Sequence, residues 1–244
     1  MLGLPDAVTA CLFDMDGVIT QTAKVHDAAW KEMFDDFLRA WSAQHDVPFV
    51  PFDPVRDYDE YVDGKPRLEG TASFLQSRGI SLPAGAESDP AGAQTVWGLS
   101  NKKNDLIVQV LARDGVEAYA GSVRYVEAAR AAGLRTAIVS SSANTQAALK
   151  AAGVESLFEV RVDHQVAEAA RLRGKPAPDT FLEAARLLGV PAARATVFED
   201  ALAGVAAGRA GKFGYVVGVD RVGQAGQLRA HGADVVVQDL AELL

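Results

Sequence analysis

Short apolar runs alternate with longer segments of helical period along most of the chain, the pattern of a parallel sheet flanked by helices. Strands are expected at 7–13, 135–140, 194–198, 212–217 and 234–236. Each run is short and rich in Val, Ile, Leu or Phe, as strands buried on both faces should be. Ala-rich helical segments lie between them, at about 122–132, 144–152, 178–188, 201–210 and 223–231. Gly133, Gly153, Gly189 and Gly232 follow these segments closely, where helix C-caps favour glycine.

The stretch from about residue 21 to 114 breaks this rhythm. It opens with an amphipathic helix (22–41), continues through a Pro- and Asp-rich segment (48–66), and ends with helices near 67–78 and 98–113. No strand is expected among them. An insertion placed directly after the first strand sits over the carboxyl edge of the sheet, where open α/β sheets bind their ligands. The expected fold class is therefore α/β, a doubly wound, mostly parallel sheet with an inserted α-helical cap. Residues 1–20 and 115–244 form the core and 21–114 the cap.

Bulk composition narrows the function. Hydrophobic residues make up 49% of the 244 and charged residues 23%, an ordinary globular balance. The net charge of -8 opposes salt-driven attraction to nucleic acid or an anionic membrane, so neither is expected as a partner. The single cysteine, Cys11, excludes an intrachain disulfide and any Cys-cluster metal site, and its apolar setting reads as core. The N-terminal stretch carries no basic cluster and is interrupted by Pro5 and Asp6, unlike a signal peptide. No uncharged run reaches the roughly 18 residues a membrane helix needs. A cytoplasmic monomer is expected.

The candidate chemistry gathers at strand ends. The first strand runs into Asp14-Met15-Asp16-Gly17-Val18-Ile19-Thr20. Two carboxylates just past a buried strand are costly unless a cation or a reaction requires them, although a solvated Asp-Gly turn would look similar. Ser140, Ser141 and Ser142 close the second core strand and precede a helix, which suits either a phosphate cradle or an N-cap run. Gly174-Lys175-Pro176-Ala177-Pro178-Asp179 holds a lysine between proline-stiffened residues, apt for one fixed phosphate. Glu199-Asp200 ends the strand that starts at 194. All these groups fall at one edge of the expected sheet.

In this order and spacing, the Asp-x-Asp-Gly-x-x-Thr run, the Ser after an apolar strand, the Lys and the Glu-Asp pair resemble the haloacid dehalogenase superfamily, over essentially the whole chain. Val18-Ile19-Thr20, 174–179 and Phe198-Glu199-Asp200 are similar to its beta-phosphoglucomutase-like family. The resemblance implies a Rossmann-like core and an enzyme in which Asp14 attacks phosphorus and becomes an aspartyl-phosphate. Asp16 would be the general acid and base. Thr20 would bond to Asp16 or to the hinge, and Lys175 and Ser140 would hold phosphate oxygens. Mg²⁺ would be held by Asp14, the backbone carbonyl of Asp16 and Asp200, with Glu199 in support.

Mutases and phosphatases of this superfamily share the core motifs, so the cap distinguishes them. His26 and Trp30, four apart on one helix face, resemble the mutase pattern for substrate contact. Val62-Asp63-Gly64-Lys65-Pro66-Arg67 is similar to the mutase cap loop, with Gly64 in the loop and Arg67 as the distal-phosphate ligand. Lys103 and Asn104 would contact sugar hydroxyls or phosphate, and Ser141, Ser142 and Asn144 would line the same substrate. Ala143 stands where the mutases commonly carry a lysine, and 47–61 is longer than the resemblance explains. The expected activity is interconversion of beta-D-glucose 1-phosphate and glucose 6-phosphate through a 1,6-bisphosphate, the alternative a Mg-dependent sugar-phosphate phosphatase. A non-catalytic binding module would have no reason to keep every acidic and lysine position. No Gly-x-x-x-x-Gly-Lys-Ser/Thr loop or Gly-x-Gly-x-x-Gly run points to a nucleotide enzyme.

Overall fold

The computed structural model describes residues 2–244. Contacts divide the chain into two compact units, one formed by the chain up to Thr22 with Val116–Leu244, the other by Ala23–Gly115. In the first unit, strands β1 (Ala10–Asp14), β2 (Arg135–Val139), β3 (Val160–Val162), β4 (Ala195–Glu199), β5 (Tyr215–Val219) and β6 (Val235–Val237) form one sheet. Their order is β3-β2-β1-β4-β5-β6, and every pairing is parallel. The helices, numbered along the chain, are α1 (Ala23–His45), α2 (Arg67–Ser77) and α3 (Val96–Asp114) in the second unit. In the first unit they are α4 (Ala120–Ala131), α5 (Thr145–Ala151), α6 (His164–Ala169), α7 (Asp179–Leu188), α8 (Leu202–Ala210) and α9 (Ala225–His231).

Alternation along each strand sorts the sheet's two faces. Cys11, Phe13, Ile138 and Phe198 pack with Tyr125, Val126 and Ala129 of α4 and Leu149 of α5. Ala10, Leu12, Val139 and Val197 pack with Phe181, Ala184 and Leu188 of α7 and Ala207 of α8. Phe13 stacks on Phe198 at 4.4 Å between centroids, and Tyr125 meets Phe198 edge-on at 5.3 Å. These pairs lock β1 beside β4 in register, Phe13 opposite Phe198. The connection out of β1 leads to β2 on one side, while β4 lies on the other. The crevice at their carboxyl ends is the topological switch point of the sheet.

The observed elements differ from the pattern-based ones in instructive places. The first strand starts three residues later than expected, at Ala10, and includes Asp14 itself. β5 starts at Tyr215 rather than Lys212, because Lys212 takes a left-handed backbone (φ 55°) in the turn after α8. β3 and α6 were not expected. Val160-Arg161-Val162 is a three-residue edge strand whose Arg161 pairs with Asp163 at 2.7 Å, too short and too polar to stand out as an apolar run. Among the described residues no helix is long and apolar enough to cross a membrane.

The second unit has its own core of Trp30, Met33, Phe34, Phe52, Phe74 and Leu99. The ring of Phe34 lies 4.1 Å from Phe74 and 5.3 Å from Phe52. Phe52 anchors the long 47–61 segment to this core, while Val47, Phe49, Val50 and Val55 of the same segment stay exposed. The Phe52 N–H donates to Asp35 at 2.8 Å, and the Lys31 ammonium joins Asp35 (2.9 Å) to the Phe52 carbonyl (3.0 Å). Buried Asp57 pairs with Arg78 at 2.5 Å, and a π-helical turn, Tyr58–Val62, then leads to Gly64 and Arg67.

Burial, with the nearby Asp27 and Asp53 carboxylates, pushes the Asp59 carboxyl up from 3.8 to about 6. A raised carboxyl favours the fold below its unfolded value, near pH 4, and that contribution is lost as pH rises through 6. Asp59→Asn should therefore raise the thermal midpoint at pH 7 and leave it near wild type at pH 4. Differential scanning fluorimetry at the two pH values checks this.

Candidate active site

Strand β1 delivers Asp14 to the carboxyl edge of the sheet, where the chain turns sharply. Gly17 adopts φ +85°, and a Cβ there would come within 3.1 Å of Asp200 Oδ1 and closer to the rest of that carboxylate. Only glycine lets the turn after β1 press against the turn after β4. Backbone bonds from Gly17 to Thr20 (2.8 Å) and from Thr20 to Met15 (2.9 Å) close the loop. The Ser122 hydroxyl ties it down through the Val18 carbonyl at 2.6 Å.

The Thr20 hydroxyl donates to the Met15 carbonyl at 3.2 Å and bonds the hydroxyl of Thr22, where the chain leaves the core, at 2.7 Å. Thr22 in turn donates to Asp16 Oδ1. Ser140 lies 3.4 Å from the other oxygen, Oδ2. Thr20 thus holds the residue that holds Asp16. The motif directs attention to its last threonine, and nothing in the local pattern marks the second hydroxyl two residues on.

Lys175 is the centre of the site. It is 1% exposed, and its ammonium donates to Asp14 Oδ1 and Glu199 Oε1 at the ends of β1 and β4. The second oxygen of Glu199 accepts the Ala201 N–H at 3.0 Å. Burial alone would lower the Lys175 ammonium; the Asp14 and Glu199 carboxylates outweigh it and hold Lys175 above the usual lysine range. Burial drives the Asp14 carboxyl up, Lys175 opposes, and Glu199 and Asp16 push it further up. Gly204 on α8 makes room for this arrangement, since a Cβ there would meet Glu199 Oε2 at 2.5 Å. It is a second residue the sequence pattern did not single out.

Carboxylate oxygens of Asp14, Glu199 and Asp200 lie within 4.8 Å of one another. Two carboxylates on one ammonium, with a third beside them, set more acidic than basic groups in a buried crevice. An all-oxygen donor set of this charge suits a small hard cation.

The serine run takes its place beside this cluster. Ser140 is buried, and its Oγ accepts the Ser142 N–H at 3.1 Å. Ser142 in turn accepts the Asn144 N–H at 3.1 Å and takes the Thr145 hydroxyl on its carbonyl at 2.9 Å. Ser142 therefore closes the turn into α5, with Ser141 and Asn144 half-buried on either side.

Within the second unit, the expected residues also come together. Lys103 on α3 is 5% exposed; its amine sits 2.9 Å from His26 Nδ1 and 4.7 Å from the centroid of the Trp30 ring. Arg67, at the start of α2, donates to Asn104 Oδ1 at 3.1 Å and stacks 5.9 Å from Trp97. Gly64 (φ +69°) shapes the turn before it. Two cations, two indoles, an imidazole and an amide thus lie in this part of the unit, groups able to attract an anion.

A family model described as haloacid dehalogenase-like hydrolase matches residues 8–212. Beta-phosphoglucomutase of Mycobacterium bovis is 56% identical, over 100% of this chain and 94% of its own length. Beta-phosphoglucomutase of Bacillus subtilis is 31% identical, over 71% of this chain and 66% of its own. The crystal structure of beta-phosphoglucomutase from Clostridium difficile shares the fold, with a TM-score of 0.74 at 22% identity over 97% of this chain and 93% of that one. A parallel core with its carboxylates and lysine at the switch point is that of the haloacid dehalogenase-like enzymes. The chain belongs to that superfamily and, within it, to the beta-phosphoglucomutase-like family.

The two helical glycines Gly204 and Gly226 offer a matched test of the packing around Glu199. Gly204→Ala should cost about 1–3 kcal/mol by overpacking Glu199. Gly226→Ala in α9, where nothing lies within 4 Å, should gain about 0.5–1 kcal/mol. Urea denaturation of both variants reads the difference.

Proposed function

We propose that this enzyme interconverts beta-D-glucose 1-phosphate and glucose 6-phosphate through an aspartyl-phosphate on Asp14 and a bound 1,6-bisphosphate. The observation that carries the chemistry is the buried cluster at the switch point. There a carboxylate at the end of β1 shares one lysine with Glu199 and lies within ligand distance of Asp200. Phosphoryl transfer needs charge cancelled around an anionic nucleophile and a phosphate dianion, and it is catalysed mainly by positioning and electrostatics. Lys175 and the Ser140 hydroxyl supply part of that cancellation. Mg²⁺ is the cofactor this donor set suits, with Asp14, Asp200 and the Asp16 carbonyl as ligands and Glu199 in support; when bound it would screen the phosphate's charge.

Asp16 is the acid and base. Its carboxylate is held from both sides by Thr22 and Ser140, which gives it a fixed direction toward the leaving sugar oxygen and then the accepting hydroxyl. His26, Trp30, Gly64, Lys103 and Asn104 bind the sugar, and Arg67 takes the distal phosphate, with Ser141, Ser142 and Asn144 completing the phosphate end. The full-length 56% identity to a beta-phosphoglucomutase, together with the paired cations Arg67 and Lys103, favours the mutase over a phosphatase despite Ala143.

Phosphorus NMR of beta-glucose 1-phosphate with Mg²⁺ and a trace of glucose 1,6-bisphosphate tests this directly. Accumulation of glucose 6-phosphate without inorganic phosphate is expected; inorganic phosphate as the main product would make the enzyme a phosphatase. Asp14→Asn should lower turnover by at least about 10³-fold while keeping the wild-type circular dichroism spectrum.

A further inference from the structure

The two acidic turns are gripped by a third loop, the connection from β5 to α9, residues 220–224. Arg221 Nε donates to the Gly17 carbonyl oxygen at 2.7 Å, and Nη1 donates to the Gln238 carbonyl at 2.7 Å. The guanidinium lies 3.6 Å from the centroid of the Tyr119 ring, with Asp239 at 3.7 Å. Three residues on, Gln224 Nε2 donates to the Asp200 carbonyl oxygen at 3.1 Å. The loop that presents them is stiff, because the Asp220 carboxylate accepts the N–H groups of Gly223 (2.7 Å), Gln224 (2.8 Å) and Ala225 (3.2 Å).

These contacts go to backbone oxygens, so they fix the turns without engaging the Asp16 and Asp200 carboxylates. Because Gly17 packs directly on the Asp200 carboxylate, a shift of either turn displaces the other. The arrangement is also costly. Arg221 Nη2 and Gln224 Oε1 are buried and have no hydrogen-bond partner among the described residues. An apolar side chain could fill the same space without that penalty but could not bind the Gly17 or Asp200 carbonyl oxygen.

We propose that Arg221 and Gln224 are positioning residues. Arg221 fixes the turn that carries Asp16, and Gln224 fixes the turn that carries Asp200. The proposal rests on the assignment of those two carboxylates above. Partners that orient metal ligands typically change metal affinity or activity by about 10- to 100-fold when removed.

The test titrates Mg²⁺ by calorimetry into the full-length protein without substrate, alongside thermal midpoints and the phosphorus NMR rate. Gln224→Leu, which keeps the volume, should raise the Mg²⁺ Kd about 10-fold at an unchanged midpoint. Arg221→Ala should lower kcat about 10-fold or more, and Arg221→Lys should recover part of it, since lysine keeps one donor but not the fork. Wild-type Kd in Gln224→Leu, with wild-type kcat in Arg221→Lys and Arg221→Ala, overturns the proposal. Should Arg221→Ala fail to fold, wild-type values for Gln224→Leu and Arg221→Lys overturn it equally. Asp200→Asn separates the two levels of inference. Its loss of Mg²⁺ binding upholds the metal site whatever the loop variants do, whereas wild-type binding by it removes the metal assignment and the proposal together.

Discussion

A lysine ammonium buried to 1% exposure needs partners, and Lys175 finds them at the tips of two neighbouring strands. Desolvating one cation is expensive; desolvating it between Asp14 and Glu199 converts the cost into a clamp on β1, β4 and the 174–179 loop. Removal of any partner would leave an uncompensated buried charge. The clamp nevertheless leaves the crevice negative, with Asp16 and Asp200 added to the pair. That imbalance suits a cation.

Positioning in the core unit relies on backbone contacts made through small residues and on hydroxyls. Gly17 and Gly204 carry no side chain where one would strike Asp200 and Glu199. Thr20, Thr22 and Ser140 form a short relay that ends on the two oxygens of Asp16. The stacked rings of Phe13 and Phe198 immediately precede Asp14 and Glu199 on their strands, so these two carboxylates follow directly on a packed pair of side chains.

In the second unit an aromatic core plays the corresponding part. Trp30 closes that core on one side and offers its ring face to Lys103 on the other. Lys103 reaches His26 as well, so a buried cation orders an imidazole and an indole at once. The 47–61 segment contributes Phe52 to this core and leads through the π-helical turn to the loop carrying Gly64 and Arg67.

Much of the candidate site was legible along the chain because strand ends are where an open α/β sheet puts its chemistry. Asp14, Asp16, Ser140, Lys175, Glu199 and Asp200 each follow an apolar run or a stiffened loop, and one-dimensional pattern suffices to find such places. The resemblance to the family, and through it the expected class of reaction, rests on that order. Local pattern cannot show which groups meet across the sheet. The sharing of Lys175 by Asp14 and Glu199 spans 161 and 24 residues of chain. The bond from Arg221 to Gly17 spans 204. The edge strand β3 was hidden because its stability comes from pairing with β2, not from its own three residues. The contact of Thr22 with Asp16, the need for Gly204 and the grip of the 220–224 loop all depend on where the backbone turns after each strand. The sequence by itself determined the residue types and their order along the sheet edge. Only the tertiary structure decided which of them touch, because burial and close approach are properties of the packed chain rather than of any local stretch.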